Sequence, residues 1–156
     1  EVLVRLRRQL VATARRVNGA RALMDDIYGV GPMTSLALCA WLGGAQRFSS
    51  SGKAVRFTGL DITVHSSDAK RSPGRLSRQG PQVLRWLLFE AAKTSARSCA
   101  PGYRYYTDIK ERDNANRAAL SQARRIVRQA VHILAALGDD AFTTVGQPRS
   151  STVAVR

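Results

Sequence analysis

An apolar stripe near the C-terminus predicts one long amphipathic helix. Its members recur every three or four positions, a spacing that places side chains on one face of an α-helix. They are Leu120, Ala123, Val127, Ala130, Leu134 and Leu137. Arg117, Arg124 and Arg128 cluster on another face of the same helix. Because an amphipathic helix is stable only when its apolar face is covered, other parts of the chain must pack against it.

Similar patterns predict helices in most of the remaining chain. The predicted helices span residues 20–28, 33–42, 51–58, 82–98 and 103–112. The second of these is apolar on nearly every side and is therefore expected to be buried. Alternation of β-branched residues from Asp61 to Val64 predicts a single short strand, which a polar loop from Ser66 to Gly80 follows. The expected fold is mostly α-helical with one short β element.

The N-terminal segment is predicted to be a helical arm. Leu3, Leu6, Leu10 and Val17 have heptad-like spacing, which indicates the end of a coiled coil or of a long helical arm over residues 1–18. The Asn-Gly dipeptide that follows Val17 is a turn signal and should interrupt the helix. The pattern is already under way at the first residue, so we expect the chain to be a piece of a longer protein.

One domain is expected between this arm and a C-terminal tail. A chain of 156 residues can bury a single core, which we assign to residues 19–138. The composition beyond residue 138 is rich in Gly, Ser, Thr and Pro and has no periodicity, which predicts a disordered tail over residues 139–156. Cys39 and Cys99 lie in apolar contexts without metal-ligand spacing, so we expect reduced core residues of a cytosolic protein.

The charge of the chain favours a polyanionic partner. Twenty-five Lys and Arg against 11 Asp and Glu give a formal net charge of +14. Arginine supplies nearly all of the positive charge, and its guanidinium group binds phosphate oxygens through paired hydrogen bonds. A high-GC genome would explain the preference for Arg over Lys but not the net charge. No apolar run approaches the roughly 20 residues that a membrane span requires, so we expect a cytoplasmic protein with no membrane contact.

Two glycines separate the first two predicted helices of the domain and suggest a helix-hairpin-helix near residues 20–43. The turn reads Gly-Val-Gly-Pro, with Pro32 at a helix-start position. Gly29, Gly31 and Thr34 would present backbone amides and a helix N-terminus to a DNA phosphate, a contact that is independent of base sequence. The alternative is a plain helical hairpin that only buries its second helix.

The loop after the predicted strand combines hydroxyl groups with cations. If residues 62–67 are extended, His65 and Ser67 lie on one face and Ser66 on the other. A serine hydroxyl is a weak nucleophile until a base or a metal ion removes its proton, and His65 could act as that base. Five cations suited to the phosphate of a displacement reaction follow: Lys70, Arg71, Arg75, Arg78 and Arg85. The alternative is a solvated basic loop without a catalytic role.

Three segments together resemble one known family. They are the hairpin at residues 29–43, the Phe57-Thr58-Gly59-Leu60 step, and Ser67 followed by Arg-Leu-Ser-Arg-Gln-Gly at 75–80 and by Leu84-Arg85. The combination is similar to the C-terminal half of the DEDD insertion-sequence transposases, the bridge-RNA-guided serine recombinases that include pilin-gene invertases. This similarity covers about residues 1–138 in order. The family often has Thr-Pro after Gly-Leu and a glycine after the serine, where this chain has Asp61-Ile62 and Asp68.

The resemblance implies a composite active site for DNA transposition. Ser67 matches the catalytic serine by position, with Ser66 as the nearest competitor, and would attack a DNA phosphate to leave a phosphoserine link and a free 3′ hydroxyl. The required Mg²⁺ would be held by a missing N-terminal ribonuclease-H-like domain, since the carboxylates of this chain are scattered and predict no metal site. The residues predicted to contact DNA are Gly29, Gly31, Thr34, Lys70, Arg71, Arg75, Ser77, Arg78 and Arg85.

The resemblance also implies partners. They are DNA, a structured guide RNA and further copies of the protein in a dimer or tetramer, in a bacterial cytoplasm and near the nucleoid. The fragment alone is expected to be catalytically inactive. The competing interpretation is a non-enzymatic helix-hairpin-helix module that binds DNA or RNA. A ribosome-associated or RNA-packaging protein would be equally basic, but it would need neither the serine pair nor the two-glycine hairpin.

Overall fold

The chain folds into seven α-helices and one short antiparallel ribbon within the part that the structure describes. This computed structural model describes residues 1–63, 75–76 and 79–146, and for residues 62–63 and 75–76 it describes the backbone. The helices are α1 (Val2–Arg16), α2 (Asn18–Asp26), α3 (Pro32–Leu42), α4 (Ser51–Phe57), α5 (Gln82–Lys93), α6 (Tyr103–Arg112) and α7 (Ala115–Leu137). The ribbon pairs β1 (Ile62–Thr63) with β2 (Arg75–Leu76). The mostly helical fold class is confirmed.

The long helix α7 lies at the centre of the fold. It packs against α4, α5 and α6, and it begins at an Asn114 cap whose side chain accepts a hydrogen bond from the Arg117 amide. Four members of the predicted apolar stripe are fully buried, while Leu120 and Leu137 are partly buried at its edges. Ile126 and Val131 widen the buried surface, because helices cover α7 on more than one side.

The break between the first two helices lies one residue before the predicted turn signal. Val17 is extended, with φ −78° and ψ 122°, and α2 starts at Asn18 and ends at Asp26 instead of spanning 20–28. Gly19 is buried inside α2 and does not interrupt it. The physical reason is long-range, because Val17 forms a β-bridge with Thr144.

The start of the C-terminal tail is packed against this break. A 3₁₀-helix spans Gly138–Phe142, and Ala141 within it is fully buried. The Asn18 amide donates to the Thr143 carbonyl over 3.1 Å, and the Val145 amide donates to the Arg16 carbonyl over 2.8 Å. The predicted disorder is therefore wrong for residues 139–146, because their local composition does not reveal these backbone partners. Residues 147–156 lie outside the described part of the chain.

The N-terminal arm is a helix, and its place in a coiled coil stays a prediction. Ala14 is the buried residue of α1, which packs through its C-terminal part on α2 and α3. Leu3, Leu6 and Leu10 face solvent, with Leu3 81% exposed. None of the helices in the described ranges is long and apolar enough to span a membrane.

Three further differences separate the observed elements from the predicted ones. The helix predicted over 82–98 ends at Lys93 and continues as a 3₁₀-helix at Thr94–Ala96. The predicted polar loop contains β2, which is too short to leave a sequence pattern of its own. Cys39 is a core residue as expected, whereas Cys99 is exposed, so its predicted place in the core is wrong.

Candidate functional site

Two backbone segments close the base of the loop at residues 61–80, which we name the serine loop. Gly59 has φ +73°, and a Cβ atom built on it would lie 2.5 Å from the carbonyl oxygen of Gln79. Gly80 has φ +135°, and a Cβ there would collide with the carbonyl oxygen of Phe57. Side chains at either position would separate the segments. The Phe57–Leu60 step is therefore one half of a closed loop base, and Gln79-Gly80 is the other half.

The ribbon continues this contact into the loop. Ile62 is opposite Leu76 and Thr63 is opposite Arg75 in an antiparallel register. Backbone pairing just beyond the glycine contact keeps the outgoing and returning chain side by side. The serine loop thus leaves and re-enters the domain at one place.

Two arginines hold the loop base to the surrounding helices. Arg85, near the start of α5, donates from Nη1 to the carbonyl oxygen of Gly80 over 2.6 Å. Arg124, in the middle of α7, donates from Nε to the carbonyl oxygen of Leu60 over 2.7 Å. Burial lowers the pKa of the Arg124 guanidinium, and the nearby Asp61 carboxylate opposes that shift. The sequence suggested Arg85 as a DNA contact, but it did not single out Arg124 as a support of this loop.

Asp61 has a structural partner at the same place. Its carboxylate accepts a hydrogen bond from Nε of Arg56 over 3.0 Å, in an exposed ion pair. This is one of the positions at which the chain departs from the family pattern. The acid is balanced here by cations, so it does not introduce an isolated negative charge at the loop base.

Most of the predicted catalytic loop lies outside the described residues. This applies to His65, Ser66, Ser67, Asp68, Lys70, Arg71, Ser77 and Arg78. The backbone of Arg75 is described as part of β2, but its side chain is not. The structure thus supplies the base of the loop, and the roles of its residues stay predictions.

An exposed aromatic ring lies next to Arg85 on α5. Trp86 follows Arg85 on α5 and is 61% exposed, and Val83 lies one turn before it with similar exposure. Exposed aromatic rings among cations are typical of sites that bind single-stranded nucleic acid, because bases stack on the rings. The sequence analysis did not include Trp86 in the predicted site.

The two-glycine hairpin joins α2 to α3 but faces an acidic surface. Gly29 has φ +85° and packs closely against Ala91 and Thr94 at the end of α5. A surface pocket at the turn is lined in part by Gly29 and Gly31, together with Asp25 and Asp26. Two carboxylates beside the turn oppose the approach of a phosphate.

Thr34 is too buried to make a good contact with a ligand. It is 7% exposed and lies within α3, so burial argues against a contact between its hydroxyl and DNA. Gly31 has open space beside its α-carbon, and the Ser35 amide donates to its carbonyl oxygen over 2.9 Å. Phosphate binding by this hairpin stays a prediction.

The ionisable groups of the described ranges do not form a metal centre. No group of three or more His, Cys, Asp or Glu side chains is placed there to hold a metal ion. Burial raises the pKa of the Cys39 thiol to about 11. The exposed Cys99 lies 3.5 Å from the hydroxyl of Tyr28, and this hydrogen bond is the largest cause of the raised pKa of the tyrosine. Neither thiol is disulfide-bonded.

The comparisons with known proteins cover the segments described above. The family described as "Transposase IS116/IS110/IS902 family" matches residues 20–107, which include the hairpin and the serine loop. A protein of Pseudomonas aeruginosa named "Probable family 20 transposase" is 28% identical over 130 residues. That alignment covers 81% of this chain but 38% of the relative, so the chain spans less than half of the relative's length. Since the family match extends over more than half of the sequence, the chain belongs to the IS116/IS110/IS902 family of transposases.

Proposed function

We propose that this chain is the serine-bearing domain of a transposase that cuts and rejoins DNA. The observation that carries the proposal is the closed base of the serine loop. Gly59 and Gly80 allow backbone contact across the base, and Arg85 and Arg124 tie both sides to helices of the core. A loop held in this way can present a side chain at a defined place, and such positioning supplies a large part of the rate advantage of an enzyme.

The proposed nucleophile is Ser67, with Ser66 as the competitor. Its Oγ atom bonds to the phosphorus of a DNA phosphodiester while the bond from phosphorus to O3′ breaks. The proton of the serine passes to a base, for which His65 is a secondary candidate, and the departing oxygen takes up a proton as a 3′ hydroxyl. One phosphodiester replaces another, so the link between serine and DNA keeps the energy needed for rejoining.

The cations of the loop would act in the same reaction step as the serine. Lys70, Arg71, Arg75 and Arg78 would neutralise the charge that develops on the phosphoryl oxygens, which is where positioned cations contribute most to catalysis. Arg85 is already engaged with the Gly80 carbonyl, so we assign it to loop support before DNA contact. This proposal assigns four of the five predicted cations to the substrate phosphate and one to the support of the loop.

The remaining catalytic groups belong elsewhere in the transposase. The described residues offer no clustered carboxylates, so we assign Mg²⁺ to a separate carboxylate domain and derive no metal-dependent step in this chain. The matched part of the Pseudomonas relative is 38% of its length, which leaves room there for such a domain. We further propose DNA and a structured guide RNA as partners, and a dimer or tetramer as the active form.

The test is a search for a covalent protein–DNA adduct. A transposase that joins this chain to its carboxylate domain is incubated with guide RNA, Mg²⁺ and end-labelled target DNA, and is then denatured. We expect an adduct that survives denaturation, that Ser67→Ala abolishes and that Ser66→Ala retains. Both variants differ from the parent by one oxygen atom at adjacent positions, so each is the control for the other.

The other outcomes are equally informative. Loss of the adduct in Ser66→Ala alone would move the nucleophile by one residue and keep the reaction class. Absence of any adduct from an intact complex loaded with metal and RNA would overturn the serine mechanism, and the domain would then be a non-enzymatic phosphate-binding module. Strand cleavage by the 156-residue chain alone would overturn the need for a second domain.

A further inference from the structure

A cluster of arginines lies where α6 meets α7, next to the loop base but separate from the serine loop. Arg124, Arg125 and Arg128 belong to α7, and Tyr105 belongs to α6. The guanidinium carbon of Arg125 lies 4.4 Å from the centroid of the Tyr105 ring. Arg124 is close enough to Tyr105 and Arg128 to interact electrostatically with both. We name these four residues the α7 basic cluster.

The positive charge of this cluster is only partly balanced. Asp61 interacts with Arg124, but the same carboxylate already pairs with Arg56 at 3.0 Å. Within the described ranges no carboxylate lies within salt-bridge distance of Arg125 or Arg128, and both side chains are exposed. Like charges held together by the fold repel one another, and a bound anion would relieve that repulsion.

Two other arginines of the same helices share the carboxylate of Asp113. Arg112 of α6 lies 3.3 Å from a carboxylate oxygen of Asp113, and Arg117 of α7 lies 3.4 Å from the other oxygen of the same group. The net charge of the chain is therefore distributed unevenly over α6 and α7. Arg125 and Arg128, which belong to the α7 basic cluster beside the loop base, have no such carboxylate among the described residues.

Tyr105 also limits the positions that the Arg125 guanidinium group can take. A guanidinium group that lies over an aromatic ring is held there by cation–π attraction, and its N–H groups can still bind the oxygens of a phosphate. The bond from Arg124 to the Leu60 carbonyl likewise fixes the first arginine of the cluster to the loop base. Two of the three arginines are thus held in place before any ligand arrives.

We propose that the α7 basic cluster binds the sugar-phosphate backbone of the nucleic acid next to the segment held by the serine loop. The inference rests on the proposed function, since it takes nucleic acid as the ligand. The arginines of the cluster lie beyond residues 20–107, so the family match does not assign them. The shared chemistry is a phosphodiester backbone, which either target DNA or a structured RNA can supply.

The test compares two double variants that remove the same charge from the same pair of helices. Fluorescence anisotropy measures binding of the 156-residue chain to a labelled DNA duplex and to a labelled RNA hairpin over a series of salt concentrations. We expect Arg125→Gln with Arg128→Gln to weaken binding at least tenfold. This variant should also reduce the slope of log Kd against log salt by about 1.8 for duplex DNA, since each lost phosphate contact removes about 0.9. Arg112→Gln with Arg117→Gln, whose charges already face Asp113, should change both quantities much less.

The two nucleic acids separate the possible sources of the ligand. A loss confined to the duplex would identify DNA as the ligand of the cluster, and a loss confined to the hairpin would identify RNA; both outcomes support the cluster. Equal losses in the two double variants would show a long-range charge effect and overturn it. If the wild-type chain binds and the Arg125 and Arg128 variant binds equally well, this inference alone fails and the serine loop proposal stands. If the wild-type chain binds neither nucleic acid, both this proposal and the serine loop proposal are overturned for the isolated chain, because each takes nucleic acid as the ligand.

Discussion

The carbonyl oxygen of Leu60 accepts a 2.7 Å hydrogen bond from Nε of Arg124, across 64 residues of sequence. Leu60 is 1% exposed, so this bond is made at the edge of the hydrophobic core. It joins the central helix to the start of the serine loop. Arg124, on the polar face of α7, therefore helps to position a loop that lies far from it in the sequence.

Removal of this bond should destabilise the fold. Arg124→Met keeps a long unbranched side chain but leaves the Leu60 carbonyl without its donor, which typically costs about 1–3 kcal/mol of the free energy of unfolding. Urea denaturation should show a lower midpoint with an unchanged slope. Arg128→Met, on the exposed side of the same helix, should stay within about 0.5 kcal/mol of the wild type. Identical midpoints for the two variants would show that the bond contributes nothing to stability.

The glycine contact at the loop base should not tolerate a methyl group. Gly80→Ala places a Cβ against the Phe57 carbonyl at a φ of +135°, so we expect a loss of about 2 kcal/mol or more. Gly44→Ala is the matched control, because φ there is −63° and nothing lies within 4 Å of the added atom. That control should be neutral or stabilising by up to about 1 kcal/mol. Thermal unfolding followed by circular dichroism distinguishes the two, and a neutral Gly80→Ala would contradict the closed base.

Arg85 should behave as a support of the loop and not as a phosphate contact. Arg85→Gln removes the bond to the Gly80 carbonyl, so the melting temperature should fall by several degrees, which corresponds to about 1 kcal/mol in a domain of this size. The slope of log Kd against log salt for duplex DNA should stay the same. A slope reduced by about 0.9 with unchanged stability would instead identify Arg85 as a direct contact.

The two cysteines should react differently with a thiol reagent. Cys99 is exposed, whereas Cys39 is buried and its thiol pKa is raised to about 11, so little reactive thiolate forms at neutral pH. We expect one labelled thiol per native chain and two after denaturation, by mass spectrometry. Cys99→Ser should remove native labelling altogether. Rapid labelling of Cys39 in the native chain would show that this part of the core opens readily.

The same thiol should make stability fall at alkaline pH. Above the ordinary Cys pKa of 9.0 the unfolded chain loses the proton of Cys39, while the folded chain retains it up to about 11. The folded state then binds more protons than the unfolded state, so the free energy of unfolding decreases as pH rises through this window. Cys39→Ala should show a shallower decrease between pH 9 and 11 in urea titrations. Parallel curves for the two proteins would exclude Cys39 as the cause.

Local patterns were sufficient for most of the helices. The three-four spacing of apolar residues located α7, and the nearly continuous apolar run at residues 33–42 located α3. These features depend on interactions within a few residues, which is why they can be read from the sequence. The basic loop, the two-glycine turn and the family resemblance were visible for the same reason.

The sequence by itself determined the helical class, the excess of positive charge and the segments that identify a transposase domain. Only the tertiary structure decided which arginines support the fold and which stay free for a ligand. Arg85 and Arg124 bind carbonyl oxygens that are distant in sequence or lie at a turn, whereas Arg125 and Arg128 face solvent. The tail at residues 139–146 is ordered for a related reason, since its backbone partners lie at residues 16–18. Hydrogen bonds between distant segments depend on how the helices pack, and no local pattern of residues encodes that packing.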